Sequence, residues 1–314
     1  MQKLAVTSSP HLRAKASTRS IMLDVCIALI PAGVAGCYWF GLRAALLIAL
    51  CVGTCVASEW LYQVITKQKV TVGDFSAVVT GLLLAYNLPA NAPWWIAVIG
   101  SFLAIVLVKQ IFGGLGCNFM NPTLAARAIL FISWGTIMAS YPVASGNFVA
   151  DAATGATALA TINGGSVGNV TILNQFIGNC GGVLGETCKA AILLGGIYLL
   201  LRGVISWHIP VSFIATAFIC YLIKDGAEIA LLQVLSGGML LGAFFMATDY
   251  VTSPVTNAGK IIFGIGCGFF LFVIRAFASY PEGCSFAILF MNVVAPLIDK
   301  LCAPKAFGEV KKHG

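Results

Sequence analysis

The chain has 314 residues, 59% of them hydrophobic and only 9% charged, with a formal net charge of +7. Soluble domains carry about 25% charged residues, so this composition excludes a water-soluble globule and makes lipid the main solvent. The Lys and Arg residues lie at the chain ends and in short connections, which excludes a nucleic-acid surface and fits topology signals beside anionic headgroups.

Residues 1–20 form a basic tail with Lys3, Arg13, Lys15 and Arg19. The apolar run 21–41 is too long for a signal-peptide core and leads directly into a second run, so it is expected to remain as the first helix. Further apolar runs cover 43–62, 75–89, 93–112 and 121–139, then 189–206, 208–223, 229–247, 261–278 and 284–299. A short tail, 300–314, closes the chain. The expected fold is an all-α multi-pass membrane protein of about ten transmembrane helices. The runs are continuous, so an alternating outer-membrane barrel is excluded. Asn87-Leu88-Pro89 and Gly113-Gly114-Leu115-Gly116 predict broken helices. Such backbone survives at membrane depth only inside protein or beside a cavity.

Ten crossings place both termini on one side. Most basic residues, including Lys67, Lys69, Lys109, Arg202, Lys260 and Lys300, then share that side; Arg43, Lys189, Lys224 and Arg275 fall on the other. The bias makes the termini cytoplasmic. The segment 140–188, rich in Gly, Asn, Ser and Thr, becomes an extracytoplasmic loop between two five-helix halves, 21–139 and 189–299. The halves echo each other. Gly100 precedes Lys109 by nine residues, and Gly266 precedes Arg275 by nine. An odd number of spans per half predicts inverted repeats, with binding sites where broken helices meet.

Ionisable residues near spans are few. Asp24, Glu59, Asp74 and Asp249 read as solvated helix ends, and Lys109 as a snorkelling side chain. Arg127 lies inside the fifth span and is expected to face the interior, toward an anionic or polar ligand. No carboxylate stands mid-span and no buried carboxylate pair is evident, so a proton relay within the chain is unsupported. The histidines and the eleven cysteines show no metal-ligand spacing. Cys180 and Cys188 share the central loop and are candidates for pairing on an oxidising side. In residues 113–123, Asn118 and Asn121 either bind the polar edge of a ring or, with Pro122, punctuate a helix start. Residues 248–254 supply hydroxyls and Asp249 at the matching place in the second half.

The central loop contains Asp151-Ala152-Ala153-Thr154-Gly155-Ala156-Thr157. Two tiny residues leave the Thr157 hydroxyl open to a bulky substituent. The pattern resembles the acceptor motif of covalently flavinylated bacterial respiratory proteins. With ten spans and the stretches 113–123 and 248–254, the chain from about 20 to 300 is similar to the NqrB/RnfD family. That family comprises the D-type component of the Rnf complex and its homologue, the B-type component of the sodium-pumping NADH:quinone oxidoreductase. The resemblance implies a urea-channel-like fold of two inverted repeats. It also implies a bacterial cytoplasmic-membrane complex that couples electron transfer between ferredoxin and NAD⁺ to Na⁺ or H⁺ movement. FMN would be joined to Thr157 through a phosphoester by an extracytoplasmic flavin transferase, with Asp151, Thr154, Gly155 and Ala156 as the attachment motif. A noncovalent riboflavin near Asn118, Asn121 and Arg127 is a further expectation. Iron–sulfur, NADH-binding and second covalent-FMN subunits would be partners, since this chain lacks their motifs. The alternative is a urea-type small-solute channel or carrier without a redox role.

Overall fold

The computed structural model describes residues 17–142, 159, 162, 171–278 and 282–303. Among these there is no β-strand. Helix α1 (Thr18–Phe40) starts at a capping box in which the Ser17 hydroxyl accepts from Ser20 N, and it continues almost directly into α2 (Leu42–Ile65). Then come α3 (Ser76–Tyr86), α4 (Trp94–Gln110) and α5 (Pro122–Ser133), with a single turn at Gly135–Met138. After the central segment come the short α6 (Ile172–Ile177), then α7 (Lys189–Leu201) and α8 (His208–Asp225). Helices α9 (Ala227–Leu235) and α10 (Met239–Met246) form one apolar stretch bent by 65°. The chain ends with α11 (Asn257–Phe277) and α12 (Cys284–Leu301).

Five helices, α1, α2, α8, α11 and α12, are long and apolar enough to cross a bilayer, and the bent α9–α10 pair makes a sixth. The remaining apolar helices, α3, α4, α5 and α7, have 10–17 residues. At 1.5 Å per residue they fall short of a hydrocarbon core of about 30 Å. The exposed surface is apolar: Ile223 is 82% and Leu301 85% exposed, with Ile30, Val34, Leu46, Trp60 and Val293 also on the outside. Such a surface is stable only against lipid or a partner, so the chain is a multi-pass membrane protein.

Helices α2, α3 and α4 pack together; α9 and α11 each pack on α8; α1 lies against α7, and α5 against α12. Gly100 on α4 lies under Leu130 of α5, and Gly266 on α11 lies under Met291 of α12; a Cβ at either would stand 2.4–2.6 Å from that neighbour. With no hydrophobic drive between helices in lipid, this close approach supplies the packing.

The predicted break after residue 86 is present, and Gly113, Gly114 and Gly116 all have positive φ. The break at 236–238, inside the run expected to be continuous, is an unpredicted one. Gly237 there has φ +65°, which a side chain would strain.

Candidate functional site

Two buried charge clusters stand at opposite ends of the helix packing, each beside a cavity. The first ties α2 to α4. Lys109 Nζ donates to both Glu59 oxygens, at 2.9 and 3.1 Å, and to Ser76 Oγ at 2.6 Å. Gln110 Nε2 donates to Glu59 Oε1 at 2.7 Å, and Gln63 Nε2 to the same oxygen at 3.4 Å. Lys109 is 2% and Glu59 1% exposed, so neither is the snorkelling cation or solvated helix end that span position suggests. Burying both charges is costly, and only this saturated set of donors offsets it. Asp24 is likewise buried and pairs with Arg202 at 3.1 Å and with the Tyr198 hydroxyl at 2.9 Å. Asp74 keeps its expected place at a helix start: its Oδ1 accepts from Ser76 N at 2.8 Å.

A cavity of about 770 Å³ adjoins this cluster, between the two halves of the chain. Its apolar wall includes Val25, Leu83, Phe244 and Phe245; its polar lining includes Asn118, Asn121, Thr248 and Asp249. The fold thus brings together the 113–123 and 248–254 stretches. Asn121 punctuates and also ties the halves. Its Oδ1 accepts from Thr123 N at 3.0 Å and Leu124 N at 3.3 Å, capping α5, while its Nδ2 donates to Met246 O at 3.3 Å. Asn118 Nδ2 donates to Met120 O at 3.0 Å. Asp249 folds on itself, accepting from Val251 N and Thr252 Oγ1.

Arg127 does not line this cavity. It stands in the second cluster, at the other end. Its guanidinium donates to Asn87 Oδ1 at 2.6 Å and to Glu282, and lies 3.5 Å from Glu186. The anionic partner expected for Arg127 is therefore the chain's own pair of glutamates. This cluster is built around the α9–α10 break. A broken helix leaves carbonyls unpaired at one end and N–H groups at the other, with opposite partial charges. Arg275 donates to Gln233 O at 2.8 Å and Ser236 O at 3.0 Å; Lys189 donates to Gly237 O at 2.8 Å and to Glu186 O. At the start of α10, Gly238 N donates to Glu282 Oε1 at 2.6 Å. Cations thus cap the negative end and an anion the positive end. A second cavity, of about 440 Å³, opens onto this cluster and is lined by Leu159, Gln175, Cys180, Glu186, Lys189, Ser236 and Glu282. Leu159 stands two positions after Thr157 in the sequence. Asp151, Thr154, Gly155, Ala156 and Thr157 themselves lie outside the described residues.

Glu186 and Glu282 lie in connections outside the spans, and their environments pull their acidities apart. Burial, then the negative Glu282, raises the Glu186 carboxyl from its ordinary 4.5 to about 8. Burial pushes the Glu282 carboxyl up as well, but the Arg127 guanidinium, the neighbouring Glu186 carboxyl, Arg275 and the Gly238 N–H together outweigh it and hold that carboxyl at about 2.

The family model for the NQR2, RnfD, RnfE family matches residues 5–308. The chain belongs to this family. A relative from Acetobacterium woodii, named as the D component of a Na⁺-translocating ferredoxin:NAD⁺ oxidoreductase complex, is 50% identical over 311 residues, covering 98% of this chain and 96% of the relative. The D component of the proton-translocating ferredoxin:NAD⁺ oxidoreductase complex of Clostridium ljungdahlii is 39% identical over 319 residues, 96% of each chain. The D component of the ion-translocating oxidoreductase complex of Stutzerimonas stutzeri is 39% identical over 330 residues, 94% of this chain and 93% of the relative.

Within this family member, the sequence-predicted residues separate into three groups. Asn118 and Asn121 share the inner cavity; Arg127 stands at the opposite end; the Thr157 motif lies outside the described residues. Glu186 and Glu282 were not singled out from sequence, and the expectation that the chain lacks a buried carboxylate pair is overturned. Both come from connections, not from span centres. A usable signal was scarcity: with eleven acidic residues in 314, each acid bordering an apolar run called for a functional reading. Cys180 and Cys188 are free thiols in the structure, so the candidate pairing is absent.

Proposed function

We propose that this chain is the D-type membrane component of an ion-translocating ferredoxin:NAD⁺ oxidoreductase complex in a bacterial cytoplasmic membrane, and that it carries FMN on Thr157. The observation that carries the first part is its half-identity, over nearly its full length, to a relative of that name. Iron–sulfur and NADH-binding functions, with a second flavin-carrying subunit, then belong to partners. The Asp151-x-x-Thr154-Gly155-Ala156-Thr157 pattern supports the second part. So does Leu159, two positions after Thr157 in the sequence and itself buried at the wall of the 440 Å³ cavity. Bound flavin supplies the electron transfer; the chain supplies its position and surroundings.

The proposed architecture is ten crossings in two inverted halves with cytoplasmic termini. Support comes from the matched pairs Gly100 over α5 and Gly266 over α12, and from Lys109 and Arg275, each nine residues further on and buried at opposite ends. In this architecture α3, α5 and α7 are partial spans completed by the turns that bury their ends; Gly185 N, for example, donates to Tyr86 O at the end of α3. The same reading puts a noncovalent riboflavin at the inner cavity; the aromatic Phe244 and Phe245 and the polar Asn118 in its lining support it.

The test is in-gel flavin fluorescence of the denatured polypeptide, with mass analysis of the peptide containing Thr157. Wild type should fluoresce and Thr157→Ala should be dark. A fluorescent band that survives the substitution removes the attachment reading and leaves the place in the complex standing.

A further inference from the structure

Glu186 precedes α7 and Glu282 precedes α12, yet the two meet at Gly238. A Cβ built on Gly238 would stand 2.5 Å from Glu186 Oε1 and 2.6 Å from Glu282 Oε1, so the carboxyl groups flank one point. One point so near both oxygens sets the two carboxyl groups side by side. Two ionised carboxylates hold acceptors only and repel each other there; one proton relieves the repulsion and supplies a donor.

The surrounding donors are already committed. Arg127 serves Asn87 and Glu282, and its 3.5 Å approach to Glu186 is too long for a good hydrogen bond. Lys189 serves two backbone carbonyls, and Arg275 serves two more. Glu186 Oε1 is buried with no hydrogen-bond partner. The other titratable groups acting on the pair are Tyr141, Cys180 and Cys284. Three fixed cations in the cluster oppose a metal ion but leave room for a proton held inside a hydrogen bond. Both carboxylate residues line the 440 Å³ cavity.

We propose that Glu186 and Glu282 form a binding site for a single exchangeable proton, held between their carboxyl groups and reached through that cavity. The proton resides on Glu186, where burial and the neighbouring charge raise the carboxyl to about 8. Glu282 stays ionised against Arg127. The site stands on the placement of both carboxyl groups at Gly238 and on the unpartnered Glu186 Oε1, and holds whether or not Thr157 carries flavin.

pH-difference infrared spectroscopy on the full chain in lipid nanodiscs tests it. Wild type should show a protonated-carboxyl stretch that disappears as pH rises through about 8 and shifts in D₂O. Glu186→Gln, which keeps shape and supplies an N–H donor, should lose the whole band. Glu282→Gln should keep the band but move its midpoint to lower pH, because the adjacent negative charge is gone and Arg127 is freed for Glu186. An undiminished band in Glu186→Gln, or no band in wild type, overturns the proposal. So does loss of the wild-type band on adding Na⁺ at fixed pH, which would make the site a metal-cation site. Should a variant fail to fold, the wild-type titration still decides.

Discussion

Lys109→Met tests whether the α2–α4 ion pair is held together by mutual dependence. The substitution keeps most of the aliphatic stem and removes the charge. Glu59 then loses two charge-assisted bonds, at 2.9 and 3.1 Å, and keeps Gln110 at 2.7 Å and Gln63 at 3.4 Å, while staying 1% exposed. Breaking one side of a buried pair costs about 3–5 kcal/mol, and the surviving Gln110 contact places this case near the lower end, about 3 kcal/mol. Removing both charges, as Glu59→Gln with Lys109→Met, should cost less than Lys109→Met alone, since the uncompensated carboxylate is gone. Equilibrium unfolding in mixed micelles of wild type, both single variants and the double variant gives the coupling energy directly. A coupling of about 2 kcal/mol or more is expected. Additivity within about 0.5 kcal/mol would refute the reasoning, because it would mean that neither charge depends on the other.

Asn121→Ala should cost about 2 kcal/mol, through loss of the α5 cap and of the Met246 O contact, and Asn121→Ser should recover the cap share; thermal unfolding of the two variants separates them. Gly238→Ala should strongly lower the unfolding midpoint, since its Cβ would meet Glu186 at 2.5 Å, whereas Gly53→Ala, with open space around it on exposed α2, should be neutral or stabilise by about 0.5–1 kcal/mol. The Glu186 carboxyl is raised from 4.5 to about 8, so its contribution to stability is fully present below 4.5 and is lost as pH rises through about 8. Glu282, lowered from 4.5 to about 2, acts oppositely: its contribution is present above 4.5 and is lost as pH falls through about 2. Between 4.5 and 8 the wild-type unfolding midpoint should therefore fall relative to that of Glu186→Gln. A difference that does not change with pH would contradict this assignment of the proton.

Composition and continuous apolar runs determined the class and placed the helices, because a chain with 9% charge has no stable fold in water and lipid demands helical backbone. The glycine run at 113–116 and Asn121-Pro122 marked a break and a helix start through local backbone chemistry alone, and both are present. The tertiary structure alone decided what the ionisable side chains do. Glu59 and Lys109 stand 50 positions apart, and Arg127 and Glu282 stand 155 apart. No local pattern announces such pairs, since their partners are set by which helices pack. The same holds for the break at 236–238. There Ser-Gly-Gly became a bend of 65° with its carbonyls capped by Lys189 and Arg275 and its amide by Glu282, groups drawn from three other parts of the chain. A broken helix inside a membrane protein is stable only where such partners arrive, and that arrival is a property of the assembled fold.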